Sequence, residues 1–176
     1  MSRFAVSAVG RDRPGIVAAI AERLLEVEGN VEDSRMAIIG GHFAVMLIVS
    51  TPANRSREDV EAALQPAAES VSLQSLSVSE VDREGTGQLA DHVITVYGSD
   101  HPGILHAVSA ELAAAGVNIT DLQTRLAGTA EKPIYVMMLE VELGEARADA
   151  LRGRLDEVAS AAKVEVELRE LDSEAL

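Results

Sequence analysis

The stretch that decides the fold is Gly10-Arg11-Asp12-Arg13-Pro14-Gly15-Ile16, because it returns 88 residues later as Gly98-Ser99-Asp100-His101-Pro102-Gly103-Ile104. Without a gap, the same offset aligns three further pairs: Leu24 with Leu112, Asn30 with Asn118 and Asp33 with Asp121. Beyond these pairs, an insertion of three residues aligns Val45-Met46 with Val136-Met137. A spacing held over such a length indicates an internal duplication, so the sequence predicts two copies of one module.

The first copy predicts the element order β-α-β-β-α-β. Strands are expected at Arg3–Val9, Val31–Ile39, Phe43–Ser50 and Val71–Val81, the last with a bulge because its apolar alternation slips by one residue. One helix follows Pro14, a residue suited to a first helical turn, and carries apolar residues at helical spacing. A second begins near Ser56 with Asp59 three residues on, and Pro66 is expected to kink or shorten it.

The second copy repeats this order. Its strands are expected at His92–Tyr97, Ile119–Leu126, Ile134–Leu143 and Val164–Leu171, and its helices at Gly103–Ala115 and Ala146–Ala161. The predicted fold class is α+β, with two ferredoxin-like βαββαβ plaits whose antiparallel sheets carry helices on one face. The predicted domains are 1–82 and 92–172, joined by a polar, glycine-containing linker at 83–91.

Composition narrows the function classes. The chain has 29 acidic and 15 basic residues, a formal net charge of -14, and 2% aromatic residues. Such a charge repels phosphate backbones and offers few rings for base stacking, so we expect no direct nucleic-acid binding. Without cysteine, neither disulfides nor thiolate metal sites are available. With no cleavage signal after Met1 and no apolar run longer than Phe43–Val49, we expect a cytoplasmic protein without membrane contact.

The strand Phe43–Val49 is apolar at nearly every position, which is typical of a strand covered on both faces. A plait leaves one sheet face and one edge uncovered. We therefore expect the two modules to pair within the chain, and a homodimer in addition.

The repeated motifs resemble those of ACT domains. Asp12-Arg13-Pro14-Gly15 and Asp100-His101-Pro102-Gly103 follow the first strand of each copy, and Asn30-Val31 and Asn118-Ile119 open the second. More narrowly, the stretch Asn30–Ala37 running into Gly41-His42-Phe43 resembles the glycine cleavage system transcriptional repressor group of tandem ACT proteins. One departure stands out: Gly116-Val117-Asn118 keeps the family's Gly-Xaa-Asn, whereas Glu28-Gly29-Asn30 has its glycine one place later.

The resemblance implies a regulatory protein that binds an amino acid such as glycine, or a similar small ligand, at module interfaces. It also implies control of glycine-cleavage genes through a partner protein. The candidate ligand residues are those of the repeated motifs: Asp12, Arg13, Pro14, Gly15, Asn30, Asp100, His101, Pro102, Gly103 and Asn118.

The chemistry of these residue types suits an amino acid. Backbone N–H groups around Gly15 and Gly103 favour its carboxylate, and glycine allows close approach. The Asp12 or Asp100 carboxylate can hold the ammonium group, and the asparagines offer donors and acceptors from the adjoining strand. A plainer interpretation remains open, in which Asp stabilises the helix dipole, Pro-Gly starts the helix and Asn bonds locally.

No catalytic residues, cofactor or metal site are predicted. The sequence lacks a nucleophile elbow, a phosphate loop and a dinucleotide fingerprint, and its histidines lack metal-ligand spacing. We therefore expect a protein without enzymatic activity. The alternative function is a protein–protein interaction module without ligand binding, which the apolar hairpin strand and acidic charge favour.

Overall fold

A computed structural model describes residues 1–81, 89–129 and 131–171 of the chain. The chain divides into two compact units, Met1–Gly85 and Thr86–Leu176. The first contains β1 (Ser2–Arg11), α1 (Ile16–Glu26), β2 (Asn30–Ile39), β3 (His42–Thr51), α2 (Arg57–Ser70) and β4 (Leu73–Glu80). The second contains β5 (His92–Ser99), α3 (Ile104–Ala114), β6 (Asn118–Thr129), β7 (Lys132–Glu142), α4 (Glu145–Ala162) and β8 (Val164–Glu170). Residues 83–88 of the predicted linker lie outside the described residues.

Each unit has one antiparallel four-stranded sheet. The strand orders are β2-β3-β1-β4 and β6-β7-β5-β8, so the first strand of each unit lies between the third and the fourth. With two helices in each unit, this is the ferredoxin-like arrangement, and the predicted α+β fold class is confirmed.

The cores repeat at the same offset as the motifs. Ile16, Ile20 and Leu24 are buried on α1, and α3 buries Ile104, Val108 and Leu112 at the equivalent positions. Spacing of four residues places each trio on one helix face, where it packs against alternate residues of the central strands. Burying an aliphatic side chain of this size stabilises the fold by about 1.5–3 kcal/mol.

The insertion in the second unit has four residues, so the predicted insertion of three is wrong. Val6 pairs with Leu47, whereas the equivalent Ile94 pairs with Leu139. Val45 therefore corresponds to Met137 and not to Val136. Because side chains alternate between sheet faces, a register shifted by one residue would turn the core face of β7 outward. The extra residues lengthen the hairpin by two further pairs, Gly128 with Pro133 and Thr129 with Lys132.

Bulges interrupt three strand pairs. In β4 the register shifts opposite Val9 and Gly10, so Gln74 is the extra residue, which confirms the bulge expected in this strand. Glu32 and Thr120 are extra residues at equivalent places in β2 and β6, and no sequence pattern predicted them. A bulge redirects the side chains that follow it without changing the length of the partner strand.

The expectation for Pro14 is wrong, and so is the part of the expectation for Pro66 that predicted a shorter helix. Pro14 lies in a turn before α1, which begins at Ile16 after Gly15 as its N-cap. Pro66 does not shorten α2, which continues to Ser70. Pro66 and Ala62, whose carbonyl loses its helical partner, both lie on the exposed side of the helix, where water can solvate that carbonyl. The predicted start of α2 is confirmed, since Ser56 and Asp59 form a capping box.

Within its own unit, β3 packs into the core through one face. Phe43, Val45, Leu47 and Val49 point into the core, but Met46 on the opposite face is 54% exposed. Of the other methionines expected in strands, Met137 is fully buried, whereas Met138 is 43% exposed.

Candidate functional site

The two Pro-Gly turns share one backbone conformation. Gly15 has φ 95° and ψ -7°, and Gly103 has φ 102° and ψ -10°. These angles match the third residue of a type II turn, in which proline is favoured one place earlier and glycine is needed. No heavy atom lies within 4 Å of a Cβ added at either glycine. The positive φ therefore favours glycine at both positions whether or not a ligand approaches, and the free space leaves room for one.

Each loop ends at a helix N-terminus. The first helical hydrogen bond of α1 runs from Ala19 N–H to the Gly15 carbonyl (2.9 Å), and that of α3 runs from Ala107 N–H to the Gly103 carbonyl (2.9 Å). The N–H groups of the first three helical residues precede this ladder and point out of the helix end. This arrangement suits an anionic group.

The two aspartates do not cap the helices that follow them. Neither α1 nor α3 has a side-chain cap, and neither has an acidic residue in its first turn. Asp12 and Asp100 are exposed, and their backbone N–H groups donate to Gly41 (3.0 Å) and Pro133 (3.5 Å) of the neighbouring hairpin. The loop backbone is thus hydrogen-bonded to the hairpin, and the two carboxylates do not cap the helices.

The residue after each aspartate reaches across to the turn between the second helix and the last strand. Arg13 Nη1 donates to Ser72 Oγ at 3.5 Å, directly before β4. His101 Nε2 lies 2.7 Å from the Ala162 carbonyl oxygen and Nδ1 lies 3.1 Å from that of Pro102. Hydrogen bonds to Ala162 and Pro102 and the charge of Asp100 raise the pKa of His101 above its ordinary value of 6.5, against a weaker opposing effect of burial.

The asparagines do not join the aspartates within a unit. Asn30 pairs with Ser50, which pairs with Arg3, whereas Asp12 follows Arg11 at the other end of β1. The eight residue steps from Arg3 to Arg11 span about 27 Å of strand. Asn118 is equally remote from Asp100, since it pairs with Glu142 beyond the first residue of β5. Parallel β1 and β2 start at the same end of the sheet, so the expected contact from an adjoining strand is wrong within one unit.

The departure at the Gly-Xaa-Asn motif changes a residue type and not the backbone. Glu28 has φ 56°, and Gly116, at the equivalent position, has φ 67°. Backbone bonds to Leu24 and Leu112 also match, with Gly29 N–H donating at 2.8 Å and Val117 N–H at 2.9 Å. The two loops before β2 and β6 therefore follow the same path.

Sequence reasoning missed two polar residues in the second unit. Tyr135 lies near Asp100, and burial followed by the Asp100 charge raises the pKa of its phenol above 10.0. Asp91 accepts hydrogen bonds from His92 Nδ1 (2.8 Å), Leu143 N–H (2.8 Å) and Gly144 N–H (2.5 Å). The 88-residue offset sets Asp91 opposite Arg3, so this difference between the copies was visible in the sequence.

The described residues show neither a metal-binding cluster nor a membrane-spanning helix. They contain no group of three or more histidines, aspartates or glutamates placed to hold a metal ion. Within the same residues, none of the helices combines the length and apolar character needed to cross a bilayer.

Comparison with known families agrees with the duplicated fold. Two family models described as ACT domain match the chain, one over residues 2–76 and the other over residues 92–160. This chain belongs to the ACT-domain family. Its two ACT domains stand in tandem, and membership supports a regulatory role.

Three proteins illustrate the range of relatives of this tandem ACT protein. A solved structure of an unknown protein from Galdieria sulphuraria is 31% identical and superimposes with a TM-score of 0.83 over 97% of this chain and 99% of that one. The glycine cleavage system transcriptional repressor of Escherichia coli is 40% identical over 45 residues, which are 26% of this chain and 24% of the repressor. Phosphoserine phosphatase of Streptomyces coelicolor is 26% identical over 164 residues, 92% of this chain and 38% of the enzyme. The chain spans about half or less of the length of the curated relatives it matches.

Proposed function

We propose that this tandem ACT protein is a non-enzymatic regulator that binds an amino acid or a similar small ligand through its β1–α1 and β5–α3 loops. One observation carries the proposal. In both loops an exposed aspartate, which does not cap the helix, stands beside a helix N-terminus.

The two features complement the two charges of an amino acid. N–H groups at the start of α1 and α3 suit the ligand carboxylate. The carboxylate of Asp12 or Asp100 suits its ammonium group through a charge-assisted hydrogen bond. Glycine has both charges and no side chain to accommodate, so it is the first ligand to test.

A ligand that contacts both an aspartate loop and an asparagine needs two modules, because these residues lie at opposite ends of one sheet. A second copy of the chain can supply the missing end, and we propose a homodimer. The exposed edge strand β2 supports this proposal, since Met36 and Ile38 are 50% and 53% exposed on the side of the sheet that carries the helices. Unpaired backbone groups and apolar side chains at a sheet edge favour pairing with another strand.

The pathway is proposed from sequence similarity to a known protein. The match to the Escherichia coli glycine cleavage system transcriptional repressor supports a role in the control of glycine-cleavage genes. We further propose that the protein acts in the cytoplasm and through a DNA-binding partner. A net charge of -14 favours such a partner over direct contact with DNA. Because the match to phosphoserine phosphatase spans only 38% of that enzyme, we assign it to an ACT-like part of the enzyme and propose no phosphatase activity here.

The exposed apolar residues of β2 also favour a second candidate, a protein interaction module that has no ligand. One experiment separates the two. Thermal unfolding of the whole chain is followed by circular dichroism, since the chain has no tryptophan, with each of the twenty amino acids in turn. A ligand present at 100 times its dissociation constant adds about 2.7 kcal/mol to the free energy of unfolding.

The sensor predicts that at least one amino acid raises the melting temperature and that the double variant Asp12→Ala, Asp100→Ala loses this increase. Glu165→Gln, which removes an exposed carboxylate from β8, is the control and keeps it. If all twenty amino acids leave the melting temperature unchanged, the sensor proposal is wrong and the interaction module is favoured.

A further inference from the structure

One residue of the β1–α1 loop differs in chemistry from its equivalent in the β5–α3 loop. Position 13 is arginine and position 101 is histidine, yet both side chains reach the turn that precedes the last strand. Both turns contain a non-glycine residue in the left-handed region, Ser72 with φ 54° and Lys163 with φ 52°. The contact therefore joins equivalent places in the two domains.

The surroundings of the His101 ring decide its protonation state. Both ring nitrogens face carbonyl oxygens, Nε2 at 2.7 Å from Ala162 and Nδ1 at 3.1 Å from Pro102. A carbonyl oxygen only accepts, and a neutral imidazole has only one N–H to donate. The doubly protonated ring satisfies both contacts, whereas the neutral ring sets a nitrogen lone pair against an oxygen lone pair.

We propose that His101 clamps the β5–α3 loop to the α4–β8 turn most firmly while its ring is doubly protonated and that deprotonation, which leaves the ring one N–H for two carbonyl oxygens, loosens this clamp, whereas the contact of Arg13 in the first domain does not change over physiological pH. Guanidinium stays charged throughout this range. The clamp stands without any ligand. Its consequence, a ligand affinity that depends on pH in the second domain only, rests on the proposed function.

The direction of the pH effect follows from the contacts. A histidine that is stabilised in its charged form keeps its proton to a higher pH in the folded chain, so the clamp is complete below 6.5 and weakens as pH rises through the raised pKa. Other charged and titratable groups lie on the elements that border the loop. They include Asp100, His106, Lys132, Tyr135, Lys163 and Glu165. Among them, Asp100 acts directly on His101 and favours the protonated ring.

The test uses NMR on the ligand-free whole chain from pH 5.5 to 8.5. The His101 ring is expected to titrate with a midpoint above 6.5, and the amide shifts of Lys163 and Val164 to follow the same midpoint. In His101→Arg these amide shifts should become independent of pH and resemble the acid form. In His101→Ala, which removes both ring contacts, they should also be independent of pH but should not resemble the acid form.

Exchange of the two residues makes the test reciprocal. Arg13→His is expected to give the Ser72 and Leu73 amides a titration that they lack in the natural chain. The clamp is refuted if the His101 ring titrates at or below 6.5, or if the Lys163 and Val164 amides titrate unchanged in His101→Arg. Since no ligand is added, either failure leaves the proposed function untouched, and a failed amino-acid screen leaves the clamp untouched.

Discussion

At the scale of single residues, two glycines show why the same residue type serves different purposes. Gly98 lies on β5 where β8 approaches, and an added Cβ would stand 2.7 Å from Val164 Cγ1 and 3.1 Å from its Cα. Gly153 lies inside α4, where an added Cβ meets nothing within 4 Å. The first glycine allows two strands to pack, whereas the second only weakens a helix.

The two sites therefore predict opposite results for one substitution. Gly98→Ala should lower the free energy of unfolding by about 1–3 kcal/mol, because the start of β8 must move to make room. Gly153→Ala should raise it by about 0.5–1 kcal/mol through helix propensity. Urea unfolding followed by circular dichroism measures both changes. A Gly98→Ala variant whose free energy of unfolding is unchanged or higher would contradict the packing described at Gly98.

Asp91 predicts a stability effect that depends on pH. Burial raises the pKa of its carboxyl, but hydrogen bonds from His92, Leu143 and Gly144 outweigh burial and hold the pKa below 3.8. A lowered pKa stabilises the fold above the ordinary value, and this contribution disappears as pH falls through the lowered pKa. Asp91→Asn should cost about 1 kcal/mol at pH 7, a modest figure because the side chain is 38% exposed.

Thermal unfolding of this variant and the natural chain between pH 2 and pH 7 checks the prediction. The difference in melting temperature should shrink below pH 3.8. Glu165→Gln serves again as the control and should show no such dependence. A difference that stays constant down to pH 2 would show that the Asp91 charge does not stabilise the end of β7.

At the scale of elements, α2 carries an internal proline at a measurable cost. Pro66 has no N–H for the Ala62 carbonyl, but both residues are exposed, so Pro66→Ala restores a helical bond without disturbing the core. The free energy of unfolding of the variant, measured in denaturant, should be about 1–3 kcal/mol higher than that of the natural chain. Gln65→Ala, also exposed, is the control and should change stability by less than about 0.5 kcal/mol. No gain in Pro66→Ala would mean that the helix is not regular around this residue.

The elements also show what the sequence could predict. The helical spacing of Ile16, Ile20 and Leu24 predicts α1, because this pattern is local in sequence. The pair Ser56 and Asp59 predicts the start of α2 for the same reason, since a capping box spans only four residues. Pro66 misled because exposure decides whether a helix tolerates proline, and exposure is a property of the whole fold. The sequence places Pro14-Gly15 in the first helical turn, which this pair also suits. Only the φ of Gly15 distinguishes a first helical turn from a type II turn before the helix.

The candidate site shows the same division between local and non-local information. Asp12 to Gly15 are consecutive, so their proximity was certain from the sequence. Asn30 was expected beside them, but it lies at the opposite end of the sheet because a helical crossover returns the chain to the end where β1 started. The sequence predicts an insertion of three residues because it aligns the two Val-Met pairs by residue identity. Strand register depends on which sheet face each side chain occupies, and it gives an insertion of four.

At the scale of the whole molecule, the edge strand β2 predicts self-association. The chain should sediment as a dimer of about 37 kDa, twice 18.6 kDa. Met36→Lys with Ile38→Lys should shift it to a monomer, since charges on an edge strand oppose pairing. Val17→Lys, at an exposed apolar position on α1, should remain dimeric. A natural chain that sediments at 18.6 kDa, or equal dissociation of both variants, would contradict an interface at β2.

The two Asp-Xaa-Pro-Gly loops are the proposed amino-acid site. Their role is tested by a two-dimensional amide NMR titration of the whole chain with glycine and with the amino acid that most raises its melting temperature. Ligand binding at these loops predicts saturable shifts of the loop amides Asp12, Gly15, Asp100 and Gly103 and of the helix-start amides after them, with loss of these shifts in Asp12→Ala, Asp100→Ala. Saturable shifts elsewhere with these loops unchanged, or no shifts with any amino acid at millimolar concentration, would contradict it.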